Sequence, residues 1–176
     1  MSREFYTSVK QNIEFLISKG ERTIIQLNFD ELHWIPNEES NSMAILVKHL
    51  HGNMLSRWTD FLTTDGEKPT RERDAEFEGG FISRDELIQS WKSGWDHFIK
   101  TIESLQDEDF NRTVYLRGEA FTVMQLIQDE LVHYAMHIGQ MIYIGKLVKN
   151  NEWQTISIPK GQSKEYNENK FKQSNQ

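Results

Sequence analysis

The sequence predicts an all-α protein, a four-helix bundle with long connections, on three observations. Apolar residues recur at spacings of three and four through four stretches of roughly 20–28 residues. Good N-cap residues precede three of the stretches, and no self-similarity at a period of 20–50 residues marks a solenoid. The chain has 176 residues. That length suits one domain, which we place at residues 1–164, followed by a polar tail over 165–176 that is expected to be disordered.

The first stretch places Phe5, Val9, Ile13, Phe15, Leu16, Ile24, Ile25 and Leu27 on a helical pattern, interrupted at Gly20. A glycine inside a helix costs about 1 kcal/mol relative to alanine. The segment NFDELHWIPNEES, with Pro36 and clustered Asn and Ser, reads as a loop. Ser42 is a good N-cap for a second helix reaching about Leu62, whose inner face carries Met43, Leu46, His49 or Leu50, Asn53, Arg57 and Phe61.

Residues 65–82 contain Pro69, paired glycines and dense mixed charge. This is a long connection of the kind that is often functional, and its charge-dense part, 67–78, is expected to be solvated. Arg71 and Arg73 within it are candidates to meet an anionic co-substrate. Ser83 and Glu86 have the spacing of a capping box and open a third helix along Leu87, Trp91, Trp95, Phe98, Ile99 and Ile102. RTVYLRGEAF then alternates briefly, with Val114 and Leu116 on one face, and predicts a short hairpin. Thr122 and Gln125 form another capping box and open a fourth helix from Val123 to about Asn150.

Composition narrows the chemistry. There are 27 acidic and 20 basic side chains, a net charge of −7, six histidines and no cysteine. The acidic balance argues against a surface built for nucleic-acid backbones. Without cysteine there is no disulfide framework, thiolate metal site or cysteine nucleophile. Any metal must be held by nitrogen and oxygen ligands. No apolar run approaches the length of a membrane span, and the N-terminus lacks the apolar core of a signal peptide, so the expected setting is the cytoplasm.

His133 and His137 stand at i and i+4. On a helix they lie about 40° apart on one face, close enough to share one metal ion. They fall on the stripe of Leu126, Glu130, Met141 and Ile144, with Gln140 at its edge. A stripe that buries two imidazoles and a carboxylate needs partners for them. Glu130 is the candidate catalytic residue, with two further readings: an acceptor orienting His133, or a satisfied core carboxylate. A third ligand must come from another helix. His49 lies among the apolar residues of the second helix, whereas His51 is about 200° around it and faces solvent or a neighbouring helix. His33 and His97 read as structural or surface residues.

Three segments carry a resemblance: NSMAILVKHLHGNMLSRWTDFL, the pattern HxxxHxGQ in HYAMHIGQMIYIGK, and DGEKPTRERDAEF with the late SIPKG. On these the chain resembles the DinB/YfiT-like superfamily of bacterial four-helix-bundle proteins, and more closely an uncharacterised subgroup found in Bacillus-type bacteria. The resemblance implies a metal triad at His49, His133 and His137 holding a divalent ion, zinc or nickel. It implies a homodimer and a small-molecule substrate, with a low-molecular-weight thiol of the bacillithiol type as co-substrate of an S-transferase. Metal-dependent hydrolysis and a non-catalytic metal-binding stress protein are the alternatives. No nucleic-acid or membrane partner is implied.

Overall fold

The computed structural model describes residues 2–174 and is mostly helical. In chain order it contains α1 (Ser2–Ile24), α2 (Phe29–Leu32), α3 (Met43–Trp58), α4 (Arg84–Ser104), β1 (Thr113–Leu116), β2 (Glu119–Thr122), α5 (Val123–Lys149) and α6 (Ser163–Ser174). Helix α3 packs along α4 and against α5, and α1 packs along α5. No helix among the described residues is long and apolar enough to cross a membrane.

Caps set most of the boundaries. Ser42 accepts from the Ile45 N–H at 3.1 Å and starts α3. Thr122 and Gln125 exchange both bonds of a capping box at the start of α5. At α4 only half of the expected box forms. Ser83 accepts from the Glu86 N–H, but the Glu86 carboxylate reaches one residue further back, to the Ile82 N–H. Helix α3 stops at Trp58, short of the expected Leu62, because Asp60 adopts φ +49° and the chain turns back on itself there. The segment read as an unbroken loop holds the single turn α2, closed by a capping box between Asn28 and Glu31.

The hairpin forms as expected. Its two-residue turn is Arg117-Gly118, both at positive φ (52° and 77°), the pairing that suits a tight twisted hairpin. Val114 points into the core. The Asp65 carboxylate accepts the N–H groups of Arg117 and Gly118 at 2.8 and 2.9 Å, and so ties the 65–82 connection to the hairpin.

On α1 the buried set is Val9, Ile13, Leu16 and Ile24, while Phe15 and Ile25 face outward. Gly20 has a packing reason: the Trp91 indole of α4 lies against it, where a Cβ would collide. The centre of the molecule is aromatic. Trp58, Trp95, Phe98 and Tyr134 are fully buried and join α3, α4 and α5. Trp58 Nε1 donates to the Tyr134 hydroxyl at 2.8 Å, which donates to Asn53 Oδ1 at 3.1 Å.

The tail departs from expectation. Residues 163–174 form the helix α6, where a disordered segment was expected from 165; the last two residues lie outside the described residues. The stretch SKEYNENKFKQS contains neither Pro nor Gly to break a helix. Its described side chains are exposed.

Candidate metal centre

Helices α3 and α5 bring His49, His133 and His137 together, with one nitrogen from each ring lying within 4.8 Å of the others. His133 Nε2 is 3.3 Å from His49 Nε2 and 3.0 Å from His137 Nε2. His49 is buried and the other two are half-buried, so the cluster has a covered side on α3 and an accessible edge on α5. The remaining histidines are elsewhere. His51 meets Ser93 of α4, His97 meets Thr59, and His33 accepts the Phe81 N–H.

Each ring is held from behind by an acceptor. His49 Nδ1 donates to Glu76 Oε2 at 2.9 Å, His133 Nδ1 to Glu130 Oε2 at 3.2 Å, and His137 Nδ1 to Gln140 Oε1 at 2.9 Å. The two carboxylates are in turn fixed by arginines. Arg57 Nε donates to Glu130 Oε1 at 2.6 Å. Arg71 grips Glu76 through Nε at 2.7 Å and Nη2 at 2.9 Å. All four of these side chains are at least nine-tenths buried.

Burial pushes the Glu76 carboxyl up, but the hydrogen bonds from His49 and Arg71 outweigh it and hold it below the usual carboxylate value. Glu130 behaves alike: burial raises it, and His133 with Arg57 brings it below. Both are therefore ionised at neutral pH, and an ionised carboxylate only accepts. The proton of each partner imidazole must then sit on Nδ1. His137 is pushed down to about 4, chiefly by burial, against the opposing pull of Gln140.

Rings that donate from Nδ1 turn their three Nε2 atoms toward one another. Such convergence suits a cation placed among them. Tetrahedral ligation by imidazole at about 2.0–2.1 Å sets neighbouring nitrogens about 3.3 Å apart. The spacings at His133 are of that size, so these three histidines could hold a metal ion.

Comparison with known protein families matches one over residues 1–162. The chain belongs to this family, a protein of unknown function (DUF1572). The family is DinB/YfiT-like. No curated protein matches the chain.

Within this DUF1572 chain the sequence pattern located all three histidines and the carboxylate of Glu130. It missed two partners. Arg57 had been placed on the inner face of its helix without a role, and it pairs with Glu130. Glu76 has no helical spacing to announce it, because it arrives from a connection and not from a helical face. Within 67–78 the expected solvated connection is found at Pro69, Thr70, Glu72, Arg73, Asp74 and Glu78, which are exposed, and fails at Glu76, which is buried. Arg71 is not available to an anionic co-substrate, since Glu76 and Glu67 occupy it, and the Arg73 guanidinium lies over the Phe77 ring at 5.1 Å. Asn53 lies near the site but bonds Tyr134. Gln140 also lines a cleft of about 230 Å³ with Pro36, Leu46, Tyr143 and Ile144, beginning one helical turn from both His49 and His137.

Proposed function

We propose that this chain is a divalent-metal-dependent enzyme of the DinB-like type, its four long helices forming a four-helix bundle, with His49, His133 and His137 as ligands of zinc or nickel. The observation that carries this reading is the convergence of three Nε2 atoms, each enforced by an acceptor behind the ring. Three histidine ligands leave a coordination position open, the arrangement of catalytic and not of structural sites.

The reaction we assign is transfer of a low-molecular-weight thiol, of the bacillithiol type, to a small electrophile: a sulfur–carbon bond forms, the bond from that carbon to its leaving group breaks, and the leaving group departs with the electron pair. A divalent ion held by His49, His133 and His137 would supply Lewis-acid chemistry, lowering the pKa of a thiol at the open position. The protein has no cysteine, so the sulfur comes from the co-substrate. Glu130 has one oxygen on Arg57 and the other on His133, so its part is to fix the His133 ring and not to carry a proton. The thiol proton then leaves to solvent at the half-exposed edge formed by His133 and His137. The cleft beside Gln140 receives the electrophile. Its lining has an acidic residue, Glu39, and no basic one, which disfavours an anion.

The setting we assign is the cytoplasm, with no nucleic acid or membrane as partner, in keeping with the net charge of −7. The assigned assembly is a homodimer. Val132, Met136 and Tyr143 make an exposed apolar stripe on α5, flanking the flat surface at Gly139, and would face a second copy.

Metal analysis of the purified protein and of His133→Ala tests the centre. One divalent ion per chain is expected in the first and a large loss in the second. Turnover that disappears with a chelator and returns with a defined metal establishes the enzyme; its absence favours a binding protein. Product formed without added thiol would replace transfer by hydrolysis, in which the open position takes water.

A further inference from the structure

The long connection between α3 and α4 has no catalytic side chain of its own, yet two of its charged side chains are buried. Glu76 is 7% exposed, and the Arg71 side chain 4%. A loop does not ordinarily bury an ion pair, because desolvation consumes most of what the pairing returns. Here the pair ends on a histidine of the cluster. Arg71 grips both oxygens of Glu76 and also reaches Glu67 at 3.2 Å. The same connection is fastened at three further points. Lys68 N–H donates to Ser56 Oγ at 3.1 Å, Lys48 Nζ donates to the Ala75 and Glu78 carbonyls at 2.7 and 2.9 Å, and Asp65 binds the hairpin turn.

Space for the carboxylate is provided on α3 itself. A Cβ at Gly52 would lie 2.7 Å from Glu76 Cδ and closer still to Oε1. Gly52 sits inside α3, where glycine carries a cost of about 1 kcal/mol against alanine. The missing side chain lets Glu76 lie flat on the helix, one turn from His49. The Phe77 ring, 4.7 Å from the His49 ring, covers the same imidazole from the connection.

We propose that Glu76, gripped by Arg71 and admitted by Gly52, is a positioning residue that fixes His49 with its proton on Nδ1 and its Nε2 free to bind metal. The inference rests on the metal-centre reading above. Acceptors behind metal-binding histidines fix the ring and raise its basicity, and their removal commonly costs about 10–100-fold in metal affinity. The cluster contains its own contrast: Glu76 and Glu130 add a negative charge behind two rings, whereas Gln140 adds none behind the third. A staple that merely holds the loop down would, when weakened, lower stability and leave the His49 tautomer and the Zn²⁺ affinity of the folded protein unchanged; a residue that strengthens a ligand would move both.

The test uses the full chain, with Zn²⁺ as the probe in a competition titration and ¹⁵N NMR of the histidine rings in the metal-free protein. Glu76→Gln keeps one acceptor but removes the charge and one of the two oxygens that Arg71 holds, and in protein shown to be folded should weaken Zn²⁺ by about tenfold with the stoichiometry unchanged. Gly52→Ala, which pushes the carboxylate away, should weaken it similarly and shift His49 from the Nδ1–H tautomer toward a mixture. Gln140→Glu should tighten binding. Glu76→Gln and Gly52→Ala proteins that are folded yet bind Zn²⁺ within twofold of the parent would overturn the proposal, as would an Nε2–H tautomer at His49 in the parent. If the parent itself binds no Zn²⁺, the metal reading fails, and the tautomer measurement still decides whether Glu76 positions His49.

Discussion

Glu130 and Glu76 make the same bond to an imidazole and reach it by opposite routes. Glu130 lies one helical turn from His133 on α5, so its placement is inherent in the helix. Its arginine comes from α3, 73 positions away, and staples the two helices together. Glu76 instead is carried to His49 across 27 positions by a connection, and its arginine comes from five positions away in that same connection. One carboxylate is secured by secondary structure and braced by tertiary contact; for the other the order is reversed. The first pair should therefore bear on global stability, and the second on the geometry of the cluster.

The contrast breaks first on Arg57. Arg57→Ala leaves the Glu130 carboxylate buried between α3 and α5 without its cation, and should cost about 3–5 kcal/mol in urea unfolding. Arg71→Ala should cost less in global stability, because the connection can lift and hydrate Glu76, but should lower Zn²⁺ affinity more than Arg57→Ala does. Equal stability losses, or the opposite order in metal affinity, would remove the distinction.

A second break point is pH. In the folded protein His137 is pushed down to about 4, whereas its ordinary value is 6.5. Above pH 6.5 the ring is neutral in both states and the metal-free protein keeps its full stability. As pH falls from 6.5 toward 4 the unfolded chain takes up the proton first, so stability declines through that window. Glu76 and Glu130, both held below the ordinary 4.5, add a further loss below that pH. Urea midpoints measured between pH 8 and 4 should show the decline, and His137→Asn should flatten its upper part.

A smaller effect concerns the end of the chain. Removing α6 by truncation after residue 162 should change stability by less than about 1 kcal/mol, since its described side chains are exposed. Thermal unfolding of the truncated chain measures this.

The same contrast explains how much could be read from the amino-acid order. Periodicity places His133, His137 and Glu130 on one stripe because a helix maps sequence spacing onto direction. It favours His49 over His51 for the same reason. The helices and the hairpin were legible through caps and alternation, at Ser42, Thr122 and the Arg117-Gly118 turn. Glu76 was not legible, since a loop has no fixed relation between spacing and direction. Its one trace was Gly52, a helical glycine without an evident purpose, whose meaning depends on a side chain 24 positions away. Gly20 is a parallel case, explained only by Trp91. The end of α3 at Trp58 has no Pro or Gly to mark it, and α6, though preceded by Pro159 and Gly161, has a polar composition that reads as disorder.

The central claim is that three imidazoles are set to bind one divalent ion through Nε2. A Co²⁺ titration followed by visible absorption tests it most directly, because a low-coordinate nitrogen-ligated Co²⁺ absorbs far more strongly than the hydrated ion. The account predicts saturation at one Co²⁺ per chain with an intense band, lost in His49→Ala, His133→Ala and His137→Ala alike. A titration with no saturable band in the parent, or a band that survives any one of these substitutions unchanged, would contradict it.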